Sequence, residues 1–159
     1  MRYDVDVVAV PATAAIVIPG PAPLGELALR LRHLHELAAA QGLVPAGRPM
    51  ARFHDREWPP PAGPVAYDVL LPVVPDPDDS VPDRVGEATG TWLPLHHVLE
   101  TVHYGPHEAM HDAYAALFEA CAAVGYTPSG PVTEVYERGP ADGVAPQEYV
   151  TRLRLPYAR

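Results

Sequence analysis

The sequence predicts an α+β domain built from two strand-helix-strand-strand units, with an antiparallel sheet and two helices on one face. The first observation behind this prediction is an internal repeat. Residues 42–53, GLVPAGRPMARF, align with residues 125–136, GYTPSGPVTEVY, and keep their Gly and Pro positions. The second is that each unit has a helix-like segment between Gly-Pro and Gly. The third is that AYDVLLPV at 66–73 parallels VTRLRLPY at 150–157. The two units are therefore expected to be related by a pseudo-twofold axis.

The first unit opens with VDVVAVPATAAIVI at residues 5–18, whose Val, Ile and Ala content predicts a strand. A helix is predicted over residues 24–41, because apolar side chains recur there at spacings of three and four. The members of this stripe are Leu24, Leu27, Leu31, Leu34 and Ala38. Pro21 suits the first turn, and Gly42 suits the C-terminal cap, where positive φ is tolerated.

The second unit repeats this order. LPLHHVLETVHY at residues 93–104 predicts a strand, and a helix is predicted over residues 107–123. The apolar stripe of this helix is Met110, Tyr114, Leu117, Phe118 and Cys121. We assign one domain, 1–159, with repeat one at 1–73, an exposed connector at 74–90 and repeat two at 91–159.

Composition excludes several classes of function. A chain of 159 residues with a net charge of -9 suits one acidic domain and disfavours direct nucleic-acid binding through a basic face. The single cysteine, Cys121, excludes an internal disulfide and fits a reducing compartment, so we expect a cytoplasmic protein. The acidic start is unlike a signal peptide, and no apolar run reaches the ~18 residues of a membrane span.

Residues 107–111 read HEAMH, the H-E-x-x-H pattern of zinc metalloproteases. Three features argue against zinc. His107 follows Pro106 directly and so lies in a first helical turn, no third ligand follows at a family spacing, and the chain has eight His. An acidic Glu108 is expected in a first turn because of the helix dipole. We therefore expect neither a metal nor a cofactor, with His107 and His111 toward the rim of any cleft.

The ordered set of motifs resembles the GyrI-like small-molecule-binding domain, which also serves as the effector-binding part of AraC- and MerR-type multidrug regulators. The motifs are the two Gly-Pro-helix-Gly segments, FHD at 53–55, YDVLLPV at 67–73 and TEVYERGP at 133–140. The resemblance implies a central cleft that takes apolar, often cationic compounds. It also links the chain to hydrolases that open cyclopropane rings and to gyrase inhibition. No DNA-binding segment precedes the domain within these residues, so a one-chain regulator is not expected.

Glu134 is the leading candidate for a polar anchor in this cleft. It alternates with Val135 on a predicted strand and so shares a face with Tyr136. The alternation alone is also consistent with Glu134 as a solvated residue at a sheet edge. The resemblance places Glu134 at the position of the family's pocket glutamate, with Tyr136 and Tyr149 in the wall. The first repeat has Ala51 at the position of Glu134, so one asymmetric site is expected.

Further aromatic and apolar side chains could complete the wall of this cleft, with core packing as an equally good alternative for several of them. The further candidates are Phe53, Trp92, Tyr104, Met110 and Tyr114. Trp58 ranks below Tyr104 and Trp92 because it lies in a Pro-rich loop, although it could act as a lid.

Three functions stay open from the sequence. The first is a stand-alone module that binds a hydrophobic or cationic small molecule, with Glu134 as anchor, in drug or toxin resistance. The second is a hydrolase of electrophilic rings, in which Glu134, helped by Tyr136, activates water as the catalytic pair. The third is a gyrase-modulating interaction protein. No direct nucleic-acid or membrane contact is expected in any of them.

Overall fold

The computed structural model describes residues 2–159, and all element bounds below refer to them. The strands are β1 Asp6–Val10, β2 Thr13–Ile18, β3 Ala22–Pro23, β4 Met50–Phe53, β5 Pro64–Val65, β6 Tyr67–Pro72, β7 Arg84–Val85, β8 Ala88–Leu93, β9 His96–Tyr104, β10 Thr127–Pro128, β11 Val132–Arg138 and β12 Val150–Ala158. The helices are α1 Leu27–Ala40 and α2 His111–Ala123. Short 3-10 helices are Leu24–Glu26, His107–Ala109, Pro140–Asp142 and Pro146–Glu148.

One large antiparallel sheet holds most strands in the order β1-β9-β12-β11-β4-β6-β2-β8-β7, with β10 beside β12. The order reads alike from both ends, since β9, β12 and β11 of the second unit mirror β2, β6 and β4 of the first. The units meet where β4 pairs with β11, and Ala51 lies opposite Glu134 there. The predicted α+β class, with two helices and an antiparallel sheet, is confirmed.

The segment 5–18, expected as one strand, is two strands that belong to different halves of the sheet. β1 pairs with β9 of the second unit, whereas β2 pairs with β8. Pro11 lies between β1 and β2 and has no N–H to continue a ladder, which accounts for the break. The segment 74–90, expected as an exposed connector, contains β7 and the start of β8. Val85 and Ala88 are fully buried in this hairpin.

Both helices pack on the same face of the sheet through the stripes that the sequence shows. Leu27, Leu31, Leu34 and Ala38 of α1 are buried in one cluster. In α2 the buried side chains are Ala113, Tyr114, Leu117 and Cys121, with Met110 just before the helix. Phe118 is 45 % exposed, contrary to expectation, because one residue after Leu117 turns it about 100° away from the stripe.

Each helix begins later than predicted, since a 3-10 turn precedes it. These turns, Leu24–Glu26 and His107–Ala109, place polar and apolar side chains above the junction of the two units. Across residues 2–159, neither helix combines the length and apolar character needed to cross a bilayer.

Candidate functional site

Glu134 lies at the centre of the domain, on the face of β11 that the helices cover, and none of its surface is exposed. The hydroxyl of Tyr136 donates a hydrogen bond to Oε1 of Glu134 at 2.8 Å, and the hydroxyl of Tyr114 donates to Oε2. Burial, and secondly the charge of Glu134, raise the pKa of both phenols well above the ordinary value. Both tyrosines therefore remain neutral donors to the carboxylate at physiological pH.

Arg56 supplies the counter-charge to this buried carboxylate. Its Nε lies 3.4 Å from Oε2 of Glu134, and its side chain is only 6 % exposed. The guanidinium carbon lies 4.5 Å from the ring centroid of Phe53 and 4.5 Å from that of Trp58. A cation held between two aromatic faces and beside a carboxylate gains electrostatic stabilisation from all three groups.

Trp58 joins the loop that carries Arg56 to the second helix. Its ring stacks on His111 with centroids 5.6 Å apart, and it meets the ring of Tyr114 edge-on at 5.5 Å. The loop of residues 54–63 leaves β4 and has no strand or α-helix. These ring contacts, together with hydrogen bonds of His54 to the Ala66 carbonyl and the Asp68 carboxylate, hold the loop over the site. Trp58, which the sequence analysis ranked below Tyr104 and Trp92 as a site candidate, is thus part of the site.

A cavity of about 670 Å³ opens above Arg56, between the N-terminal ends of the two helices. Its lining includes Arg56, Trp58, His107, Glu108 and Tyr149. Cavities of this volume are typical of small-molecule sites. Glu134 does not line the cavity, because Arg56 lies against its carboxylate. The expectation that Glu134 faces an open cleft is therefore corrected: its access to the cavity passes through Arg56.

A second cavity, of about 620 Å³, lies on the face of the sheet without helices. Three arginine side chains line it together with apolar residues, and each already pairs with a carboxylate. The pairs are Arg48 with Asp142, Arg52 with Asp68 and Arg154 with Glu100. These three arginines are hydrogen-bonded to their carboxylates, whereas Arg56 keeps two buried nitrogens without a hydrogen-bond partner within residues 2–159. The cavity beside Arg56 is therefore the better candidate for recognition of a charged ligand.

His107 forms a wall of the cavity above Arg56 and does not lie at its rim as expected. Its ring packs between Tyr136, at 5.3 Å, and Tyr149, at 4.9 Å, and Nε2 lies 3.3 Å from the hydroxyl of Thr151. Burial is the main cause that lowers the pKa of His107, against a smaller opposing effect from Glu134. The imidazole is therefore neutral at physiological pH and adds no positive charge to the site.

This neutral histidine predicts a pH dependence of stability. Because the pKa of His107 is lower in the folded chain than its ordinary value of about 6.5, the unfolded chain binds more protons as pH falls below that value. The wild type should therefore lose more free energy of unfolding between pH 7.5 and pH 5.5 than His107→Gln does. Urea unfolding at both pH values measures this, with His97→Gln, an exposed histidine of β9, as control. Equal losses in wild type and His107→Gln would contradict it.

The two histidines of the HEAMH string contact different partners. His107 packs on Tyr136 and Tyr149, whereas His111 stacks on Trp58. Within residues 2–159 there is no cluster of three or more His, Cys, Asp or Glu side chains placed to hold a metal ion.

The structure brings five of the eight predicted site residues together and leaves three outside. Glu134, Tyr136, Tyr114 and Phe53 form the centre described above, Tyr149 lines the cavity, and Met110 is buried in the core beneath α2. Tyr104 is 66 % exposed, because it follows the inward His103 on β9 and so points to the other face. Trp92 is 43 % exposed on β8, and its Nε1 donates to the carbonyl of Asp79 at 2.8 Å.

Arg56 is the site residue that the sequence analysis missed. One signal could have found it. A carboxylate predicted at the buried junction of two units requires a nearby cation. The string FHDREW at 53–58 places an arginine between two aromatic residues, directly after the strand that pairs with that of Glu134.

Solved structures with this fold include EcmrR, a hydrolase from Listeria innocua and SAV2435 bound to tetraphenylphosphonium. The EcmrR C-terminal domain superposes with a TM-score of 0.83 at 16% identity, over 100% of this chain and 99% of that chain. In the EcmrR–DNA complex the values are 0.81 and 17%, over 99% of this chain but only 58% of that chain. The hydrolase gives 0.70 and 14%, over 97% and 91%. SAV2435 gives 0.58 and 11%, over 99% and 94%.

These identities are low, so the structural likenesses show the fold alone. A comparison with curated protein sequences finds no match. The family model of the GyrI-like small molecule binding domain, in contrast, matches residues 3–158, nearly the whole chain. The tandem units, the helix-covered carboxylate and this match together lead to one conclusion: the chain belongs to the GyrI-like small-molecule-binding domain family.

Proposed function

We propose that this domain is a binding module for a hydrophobic or cationic small molecule, with Glu134 as its polar anchor. The observation that carries the proposal is the buried carboxylate of Glu134, which holds a cation between two aromatic rings. A positive group on a ligand would find the same attraction there. Tetraphenylphosphonium bound to SAV2435, a protein of the same fold, supports a cationic ligand class. Binding of such compounds by the domain fits a role in drug or toxin resistance.

The cavity provides the apolar part of this recognition. Its walls include Leu24, Leu27, Trp58 and Tyr149, which suit a ligand with hydrocarbon or aromatic surface. Burial of that surface would stabilise the complex by about 25 cal/mol per Å². The charge at Glu134 would then decide which apolar molecules remain bound.

Calorimetric titration with tetraphenylphosphonium tests the anchor. Glu134→Gln is expected to weaken binding about tenfold or more, since about 1.4 kcal/mol of lost attraction is a factor of ten. Glu137→Gln is the matched control, because it removes one negative charge from the same strand at an exposed position that pairs with Arg152. Circular dichroism checks that both variants fold. Equal affinity in Glu134→Gln and Glu137→Gln would refute the anchor.

A hydrolase is the second candidate, and the two phenol hydroxyls on Glu134 favour it, because they fix the orientation of a carboxylate that could accept a proton from water. Both carboxylate oxygens are engaged, however, so water can reach them only after Arg56 moves. Chromatography with a cyclopropane-bearing alkylating compound separates the candidates. Turnover that disappears in Glu134→Gln supports the enzyme, and stoichiometric binding without product excludes it for that compound.

A further inference from the structure

Arg56 occupies the place that a cationic ligand would take. The seat consists of the Glu134 carboxylate and the rings of Phe53 and Trp58, and the guanidinium contacts all three. Since the side chain is only 6 % exposed, a second cation cannot enter while Arg56 stays. With Arg56 present the charge of Glu134 is also neutralised, which removes the attraction on which the proposed anchor depends.

Arg56 is nevertheless held incompletely. Its Nε and Nη1 are buried and have no hydrogen-bond partner within residues 2–159. A buried donor without a partner destabilises the position that holds it, and it regains hydration when it moves into water. The Nε–Oε2 separation of 3.4 Å is that of an ion pair without the short bidentate geometry that makes Arg–carboxylate pairs strong. A better-fitting cation could therefore replace Arg56.

The loop that carries Arg56 can leave without disturbing the sheet. His54 is hydrogen-bonded to Ala66 and Asp68, but residues 55–63 beyond it contain no strand or α-helix, and besides Arg56 and Trp58 they are exposed. Segments with few buried contacts open at low free-energy cost. Pro59, Pro60 and Pro61, which follow Trp58, are exposed, and Pro60 and Pro61 line the cavity.

We propose that Arg56 is an internal occupant of the cation seat, and that the ligand is a planar delocalised cation with an apolar body that displaces it. This rests on the proposed function and specifies its ligand class and its control. The chain's own guanidinium identifies the chemistry: a flat guanidinium or amidinium group fits between the two rings and beside the carboxylate. The apolar body fills the cavity of about 670 Å³. Neutral molecules cannot displace Arg56, so Arg56 sets the specificity for cations.

Titration with benzamidinium tests this in a Trp92→Phe background, where Trp58 is the sole tryptophan and its fluorescence reports the seat. Arg56→Ala should bind benzamidinium about tenfold more tightly than the parent, because no internal cation competes. Arg84→Ala is the matched control, since it removes one positive charge from an exposed position and should bind like the parent. Neutral benzamide should bind neither variant measurably.

The outcomes separate this inference from the proposed function. If Arg56→Ala binds benzamidinium no more tightly than Arg84→Ala, Arg56 is not a competing occupant, even where Glu134→Gln still weakens tetraphenylphosphonium binding. The tighter benzamidinium binding of Arg56→Ala should disappear when Glu134→Gln is added. If it persists, Glu134 is not part of the cation seat. Hydrogen exchange in the parent provides a second measurement that needs no Arg56 variant. Saturating benzamidinium should accelerate exchange within residues 54–63, whereas slower exchange there would contradict displacement.

Discussion

The double variant Tyr114→Phe, Tyr136→Phe is expected to lose about 4 kcal/mol of its free energy of unfolding, because hydrogen bonds to charged groups contribute about 1.5–3 kcal/mol each. Both hydroxyls donate to the Glu134 carboxylate, which has no exposed surface and no described donor besides them and its ion pair with Arg56. Removal of the oxygens leaves the rings in place, so the loss measures hydrogen bonding and no large cavity. Urea unfolding at pH 7 measures it.

Tyr67→Phe is the matched control for this double variant. Tyr67 is also fully buried, but its hydroxyl donates to the neutral carbonyl of Pro23 at 3.0 Å. The expected loss is about 1 kcal/mol, the usual contribution of a neutral hydrogen bond. A double variant that loses no more than twice the Tyr67→Phe value would show that Glu134 does not depend on these donors.

The same variants predict a difference at alkaline pH. Burial and the charge of Glu134 raise the pKa of Tyr114 and Tyr136 above the ordinary value near 10, so the folded chain holds protons that the unfolded chain releases. Their contribution to stability is complete below about pH 10 and is lost as pH rises further. Above pH 10 the wild type should therefore lose stability more steeply than the double variant. Tyr3, whose pKa is also raised, is present in both and cancels.

The architecture was accessible from the sequence because local signals and the repeat agreed. The spacing of Leu27, Leu31 and Leu34 fixed the buried face of α1, and Gly42, with φ of 70°, ends it as the helix pattern predicts. The sequence did not predict that β1 pairs with β9 of the second unit, or that β8 pairs with β2 of the first. Pairing partners depend on contacts far apart in sequence, and both strands satisfy the same alternation in either position.

The site was accessible only in part, and for a similar reason. Strand alternation and the family resemblance bring Glu134 and Tyr136 to one face, and helical spacing brings Tyr114 above them. Arg56 lies in a loop whose path no periodic pattern describes. Its position follows from the buried charge of Glu134 and from two ring contacts, which are three-dimensional facts. Tyr104 lies outside the site because a shift of one residue along a strand moves a side chain to the opposite face of the sheet.

The charge pair at the centre takes one member from each repeat. Glu134 stands opposite Ala51 at the junction of the units, and Arg56 aligns with Gly139 in the second repeat by the spacing that aligns Phe53 with Tyr136. A Cβ on Gly139 would lie 2.7 Å from Cβ of Tyr136, so the second unit has no room for a side chain at that position. The pseudo-twofold body therefore holds one anion and one cation, and its site is asymmetric.

Because of this asymmetry, Ala51→Glu is expected to be a strongly destabilising charge substitution at the junction. Ala51 is fully buried, and the new carboxylate would lie beside Glu134, at the roughly 5 Å typical of paired strand positions. Arg56 is the only cation among the contacts described for Glu134 and cannot neutralise two anions. The expected loss is more than about 3 kcal/mol at pH 7, the magnitude of an uncompensated buried charge. Thermal unfolding measures it.

Ala51→Gln separates this charge effect from size, because the amide has nearly the same volume and overpacking alone costs about 1–3 kcal/mol. Burial and the neighbouring anion raise the pKa of the introduced carboxyl above its ordinary value near 4.3. Its penalty is therefore present at neutral pH and fades as pH falls toward that value. The stability of Ala51→Glu should approach that of Ala51→Gln over this range. If the two variants instead unfold alike at pH 7, the junction tolerates a second anion. The need to pair one carboxylate with one cation then cannot explain why the site is asymmetric.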